Sequence, residues 1–262
     1  MKTGKAAGSD CIETEHLLNA HPTLVSQLSV LFNAILKYGY VPHVFCWGIV
    51  IPLIKDKQGN AADISNYRGI TLSFTIYKVF EMCFLEIYDD VLYSADLQFG
   101  FKKNLSCNKA IYAVKPLCDY YVSRNYTVNV CFLDISKAFD KVNHCSLFCK
   151  LMNRNTPVEF INVLVNRYSR CFYCLRVNMT LSHTLRTTCG LRQGGVLSPV
   201  LFEIYINDII VQLQTHKLGC YIGDLYLGCV LYSDDLLLMS SSLTVLQKMI
   251  DVCVREASEE LV

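Results

Sequence analysis

The stretch 230–239, Val230-Leu231-Tyr232-Ser233-Asp234-Asp235-Leu236-Leu237-Leu238-Met239, puts two adjacent carboxylates inside a run otherwise built for burial. Neighbouring like charges in a low-dielectric setting repel, and each loses hydration. A hairpin resolves the conflict. Its strands take the apolar residues, and its tip holds Asp234 and Asp235 with one side open to water. We therefore expect a β-hairpin over 228–239 and a helix from Ser242 onward. Taken alone, the tip also reads as a surface turn with two solvated acids or as an Asx-type turn.

A second strand is expected over 127–133, which is β-branched and apolar, with Asp134 at its end. Three carboxylates converge if that end lies beside the hairpin tip. Such a cluster is unfavourable when empty and favourable around two Mg²⁺ ions, which take carboxylate oxygens together with substrate phosphates. Around these strands, apolar spacing predicts helices over 13–37, 76–92 and 157–173, the first stopped by Gly39 and Pro42. A strand over 47–54 should end in the polar turn 55–60. A glycine-marked loop, 190–195, leads into a helix that Ser198 caps and Pro199 opens, running to about Leu213. The pattern is α+β: a small antiparallel sheet with helices packed on it. No internal repeat or low-complexity linker marks a domain boundary.

Composition narrows the function classes. The chain has 262 residues, 52% apolar and 18% charged, with a mean hydropathy of +0.30. That value is high for a freestanding soluble protein and suits either a fragment whose neighbours cover part of its surface or a cysteine- and leucine-rich interior. The first twenty residues are polar and charged, unlike a signal peptide, and Pro22, Pro42, His43 and Pro52 break the longest uncharged runs, so no membrane span is expected. Fourteen cysteines at irregular spacing read as reduced intracellular thiols. The tight pair Cys171-x-x-Cys174 lacks the second pair a zinc site needs. The net charge of +1 hides an asymmetry. Residues 160–202 carry Arg167, Arg170, Arg176, Arg186 and Arg192 and no acid, whereas 203–262 carry nine Asp/Glu against three Lys/Arg. The arginines read either as a solvated face or as contacts for a polyanion held next to metal ions.

The segments CFLDISKAFDKVNH (131–144), GLRQGGVLSPVLFEIYINDI (190–209) and LYSDDLLL (231–238) resemble, in order and spacing, motifs A, B and C of reverse transcriptases. IPLIKDKQGNAADISNYRGITLSFTIYKVFE (51–81) and LQFGFKKNLSC (97–107) are similar to the family's fingers motifs. KTGKAAGSDCIETEHLLN (2–19) resembles the extra N-terminal motif of non-LTR, LINE-like and jockey-related enzymes. The resemblance implies a right-hand polymerase fold of fingers (1–127) and palm (128–262), with 142–190 possibly returning to the fingers. The family's thumb has no counterpart after motif C, and no endonuclease precedes the fingers, so the chain reads as a C-terminally truncated piece of a polyprotein.

The same resemblance implies the site. Asp134, Asp234 and Asp235 would be catalytic and would ligate two Mg²⁺ (Mn²⁺ as an alternative), with the Ile135 carbonyl as a further metal ligand. Phe139 matches the steric gate that excludes a 2′-hydroxyl, though by itself it also reads as core. Lys55 and Arg68 match cations that clamp the triphosphate, and are otherwise ordinary surface cations; a guanidinium suits phosphate because it binds in bidentate fashion. Gln193 and Gly194 match the nucleotide-contacting motif B loop. Gln98, Gly100 and Phe101 match the template-contacting segment, with Lys102, Lys103 and Lys109 nearby for phosphates. Motif C has Ser233 where alanine is commoner, and KKNLSC departs from the usual fingers pattern. The implied partners are an RNA template, a DNA primer or target and dNTP, with action in the nucleus. The rival functions are a decayed or domesticated fragment that binds nucleic acid without polymerising, a different two-metal enzyme such as a nuclease or nucleotidyl cyclase, and a module whose acidic tip binds Ca²⁺.

Overall fold

The computed structural model describes residues 3–102 and 104–260, the last two by their backbone alone. The helix expected over 13–37 is two helices, α1 (Thr14–Leu18) and α2 (Thr23–Tyr38). Pro22 divides them, because proline has no amide to donate and its ring disfavours helical backbone at the preceding His21. α2 stops on Gly39 in the left-handed conformation, φ 59°. β1 (Trp47–Ile54) returns antiparallel through a polar loop as β2 (Tyr67–Leu72), with Ile49 opposite Leu72 and Ile54 opposite Tyr67. Asn66 ties the loop: its amide donates to the Asp56 carbonyl (2.9 Å), and its Oδ1 accepts from the Asp56 N–H (3.0 Å).

α3 (Thr75–Ile87) ends short of the expected residue 92, and α4 (Cys107–Val122) follows with Pro116 inside it. β3 (Asn129–Asp134) closes on Asp134 as expected, and α5 (Ala138–Lys141), α6 (His144–Asn153) and α7 (Val158–Tyr168) come next. The helix expected over 157–173 is therefore too long. Residues after Tyr168 leave it to form β4 (Phe172–Val177), which runs parallel to β1 with Trp47 opposite Phe172. Short strands β5 (Thr180–Leu181) and β6 (Leu185–Arg186) both pair with β4. α8 (Ser198–Thr215) starts at the expected serine. A two-strand ribbon, β7 (Tyr221–Ile222) and β8 (Leu225–Tyr226), precedes the hairpin β9 (Cys229–Tyr232) and β10 (Asp235–Ser240), and α9 (Leu243–Glu260) follows.

The chain forms two compact units. One takes the residues up to Val91 together with Phe148–Ser198; it holds the mixed sheet β2-β1-β4-β5, with β6 on β4. Its core is aromatic, with Phe84 stacked on Phe160 at 4.4 Å and 12°. The other takes Leu92–Leu147 and the residues from Pro199 onward, so 92–127 belong with the acidic strand ends. Its sheet is β3-β10-β9, antiparallel throughout. α8 buries Leu201, Phe202, Ile204, Tyr205, Ile210 and Leu213, which lie all round the helix, so it runs through the interior. α9 is amphipathic instead, and it packs against β10 and β3 with Leu246, Met249, Val252 and Cys253 buried.

Candidate active site

The pairing register builds the acidic end of the antiparallel sheet. In β10 every second residue, Leu236 and Leu238, is buried, which fixes which face each residue takes. The ladder runs from Ser240 opposite Asn129 to Asp235 opposite Asp134, so these two aspartates are direct cross-strand neighbours. Asp235 also pairs with Tyr232, which leaves Ser233 and Asp234 as the hairpin loop. The Ile135 N–H donates to the Asp234 carbonyl at 3.4 Å, joining the loop to the end of β3. Asp134 and Asp235 are exposed and Asp234 is half-buried.

The three acids feel one another. Partial burial raises the Asp235 carboxyl above its ordinary range, and the charges of Asp234 and Asp134 push in the same direction. Among the described residues no lysine or arginine forms a salt bridge with any of the three. Nor, among the described residues, do three His, Cys, Asp or Glu side chains close into a ready-made cage for an ion. The donor set still fits Mg²⁺, which is bound by one or two carboxylates and completes its shell with water and substrate oxygens. The Ile135 carbonyl accepts from the Ala138 N–H at 3.1 Å, and its second lone pair remains.

Phe139 is half-buried and stacked on Phe202 of α8 at 4.3 Å and 18°. Phe101 meets the Phe139 ring edge-on at 5.8 Å and 88°. Phe101 itself is 49% exposed and has a left-handed backbone, φ 52°. Gln98 and Gly100, which the resemblance assigns to template contact, lie beside the hairpin tip. Both are buried, and the Gln98 side chain is turned onto the hairpin tip, where its Oε1 accepts from the Ser233 N–H at 3.3 Å. Lys102 is likewise engaged, donating to the Ser94 (3.1 Å) and Ala95 (2.6 Å) carbonyls. Lys103 lies outside the described residues, and Lys109 is exposed on α4.

The remaining candidates lie in the other unit. Lys55 and Arg68 are exposed at the loop end of β1 and β2, where Lys55 Nζ donates to the Ser65 carbonyl at 3.0 Å. The 190–195 loop docks on β2, the Thr71 N–H donating to the Gln193 carbonyl at 2.7 Å. Gly194 is required there, since its φ is 108° and a Cβ would stand 2.8 Å from the Thr71 carbonyl oxygen. The buried Glu81 holds the exit of the loop, accepting from the Val196 N–H at 2.8 Å.

Several arginines of the 160–202 stretch turn inward onto the protein's own groups. Arg192 is buried and donates to the carbonyls of Trp47 (2.9 Å), Phe172 (3.1 Å) and Cys46. Arg167 is buried over the Tyr77 ring at 4.6 Å, Arg170 donates to the Val41 carbonyl (2.8 Å), and Arg186 donates to the Ser169 carbonyl (2.8 Å). Arg170, Arg186 and Arg192 thus cap backbone carbonyls, Arg167 donates to Cys171 Sγ at 3.0 Å, and Arg176 is half-buried. The Cys171/Cys174 pair divides as well: Cys171 is buried against Arg167, Cys174 sits 3.7 Å from Thr184 Oγ1, and all fourteen thiols are free.

One polar group escaped the sequence reading. Glu203, on the largely buried α8, accepts from Ser94 Oγ at 2.8 Å, and Asn207 one turn on accepts from the Ala95 N–H at 2.7 Å. Burial pushes the Glu203 carboxyl up to about 7, against the opposing pull of the Ser94 hydrogen bond and Lys102. Its i, i+4 spacing with Asn207 inside an apolar run was the available signal.

A family model described as reverse transcriptase (RNA-dependent DNA polymerase) matches residues 54–261. The chain is 28% identical over 214 residues to a probable RNA-directed DNA polymerase from transposon X-element of Drosophila melanogaster, covering 80% of this chain and 23% of that protein. It is 24% identical over 268 residues to the RNA-directed DNA polymerase from mobile element jockey of Drosophila funebris, covering 100% of this chain and 27% of the relative. It thus spans about a quarter of the length of these relatives. Among solved structures, apo telomerase from Candida tropicalis, truncated from its C-terminal domain, superposes with a TM-score of 0.57 at 13% identity, covering 88% of this chain and 51% of that one. That likeness concerns fold alone. With the family model spanning most of the chain, the chain belongs to the reverse transcriptase (RNA-dependent DNA polymerase) family.

Proposed function

We propose that this chain is the fingers and palm of an RNA-directed DNA polymerase within a longer retrotransposon protein acting in the nucleus. It would extend a DNA primer on an RNA template by attack of the primer 3′-hydroxyl on the α-phosphate of a dNTP, releasing pyrophosphate. The observation that carries this reading is the register that sets Asp235 opposite Asp134 beside the Ser233–Asp234 loop. The unit holding the acidic strand ends is the palm; the unit holding β1, β2 and the 190–195 loop is the fingers.

Asp134, Asp234, Asp235 and the Ile135 carbonyl would hold two Mg²⁺, or Mn²⁺, which would supply charge stabilisation at the attacking and leaving oxygens. The chain's own residues do the rest. Phe139, rigid on Phe202, occupies the space a 2′-hydroxyl would need. Lys55 and Arg68 orient the triphosphate, and the Gln193–Gly194 backbone, free of a Cβ at Gly194, lets the base pair approach closely. Template contact falls to the exposed ring of Phe101 by stacking. Among the described residues no helix is long and apolar enough to cross a membrane.

Primer extension on poly(rA)/oligo(dT) with Mg²⁺ tests the proposal. The chain should incorporate dTTP, and Asp234→Asn should lower incorporation by about a hundredfold or more, as loss of a preorganised electrostatic contact does. Nucleic-acid binding without aspartate-dependent incorporation would favour a decayed fragment instead.

A further inference from the structure

We infer that Gln98 is a positioning residue for the aspartate-bearing turn, acting with Gly100 as a buried strap behind Asp234. The inference rests on the reading of Asp134, Asp234 and Asp235 as a cation site. Residues 97–99 lie along β9, with the Leu231 N–H donating to the Leu97 carbonyl (2.9 Å) and the Phe99 N–H donating to the Leu231 carbonyl (2.8 Å). This pairing buries Gln98 to 1% exposure beside the hairpin tip. One atom, Gln98 Oε1, accepts two backbone amides: Gly100 at 3.0 Å and Ser233 at 3.3 Å.

The residue held in this way needs holding. Ser233 has φ 63°, a left-handed conformation that a residue with a Cβ rarely keeps unless its surroundings impose it. Gly100 restrains the same residue from another direction. A Cβ at Gly100 would stand 2.4 Å from the Ser233 nitrogen and 3.0 Å from its Cα, so only glycine lets the two backbones lie this close. Ser233 directly precedes Asp234, so the glutamine and the glycine together set where the Asp234 backbone departs. The other end of the amide supports the same role. Gln98 Nε2 is buried with no hydrogen-bond partner, an unfavourable arrangement that an apolar side chain of equal size would avoid. Packing alone therefore does not call for glutamine here; the Oε1 acceptor does.

The test uses the full chain with Mn²⁺ as the probe ion, titrated by electron paramagnetic resonance, and amide hydrogen exchange without metal. Gln98→Met keeps the size and removes the acceptor. The Ser233 and Asp234 amides should then exchange at least about tenfold faster, and Mn²⁺ affinity should fall about ten- to a hundredfold, as for other supports of metal ligands. Gly100→Ala should do the same with Gln98 intact, which keeps the test open if Gln98→Met fails to fold. Leu246→Ala, a cavity on α9, should leave Mn²⁺ affinity unchanged. Unaltered exchange at the tip would refute the strap. Faster exchange with unaltered Mn²⁺ affinity would reduce Gln98 to a folding role. Either result leaves the cation-site reading standing. Wild-type chain showing no Mn²⁺ binding that Asp234→Asn abolishes would end that reading, and this inference with it.

Discussion

Phe139 and Phe101 show how much one ring depends on another. Phe139 is flat against Phe202 on one side and meets the edge of Phe101 on the other, so it can neither tilt nor swing freely. Phe139→Ala should largely abolish discrimination against ribonucleotides. Phe101→Ala removes one aromatic pair, which is worth about 0.5–1.5 kcal/mol, so the ratio of kcat/KM for dNTP over rNTP should fall about two- to tenfold. An unchanged ratio in both variants would remove the gate. Glu203 gives a prediction in pH. Its folded carboxyl is raised to about 7 from 4.5, so the native state holds the proton more tightly than the unfolded chain does. The stability this provides is full below about pH 4.5 and is lost as pH rises through 7, up to roughly 3 kcal/mol. Glu203→Gln, neutral at every pH, should flatten that slope when urea midpoints at pH 5 and pH 8 are compared.

Elements differ in how far neighbouring residues alone reveal them. β1, β3, the β9–β10 hairpin and the start of α8 follow from local pattern, because alternation, a serine cap and an adjacent proline all act within a few residues. Three features do not. The first two residues of β4, Phe172 and Tyr173, read as the end of a helix because their partner β1 lies more than a hundred residues away, and only that partner selects strand. α4 escapes because Pro116 reads as a breaker, and α1 was merged with α2 because apolar spacing continues across Pro22. At the site, the sequence points to three aspartates and the register sets Asp134 opposite Asp235, whereas the burial of Gln98 is not legible, since a glutamine's exposure is decided by the strand it lies against. The burial of Arg167 and Arg192 is illegible for the same reason. Arg192 fastens the entrance of the 190–195 loop to β1 and β4 through three carbonyls. Arg192→Met would remove three hydrogen bonds from a charged donor, at about 1.5–3 kcal/mol each. Thermal denaturation should show a midpoint at least about 5 °C lower, given roughly 2–4 °C per kcal/mol for a chain of this size. Arg192→Lys, with one point of donation in place of a fork, should recover only part of the loss.

Across the whole molecule the chain passes from one unit to the other and back, so each unit is assembled from two separated stretches. The turn between β4 and β5 offers a way to see this, since Met179 is 96% exposed and Asn178 has φ 53°. A single protease cut there should leave both pieces together on gel filtration, because residues on each side of the cut contribute to both units. They should separate only in denaturant; fragments that part under native conditions would contradict the two-unit description. The interleaving reaches beyond the test tube. When two related chains exchange sequence at a point inside residues 92–198, both bodies of the product are hybrids, and no single exchange point passes on one intact body from each parent. Shuffled chains are therefore expected to fold only where the parents' interiors still match.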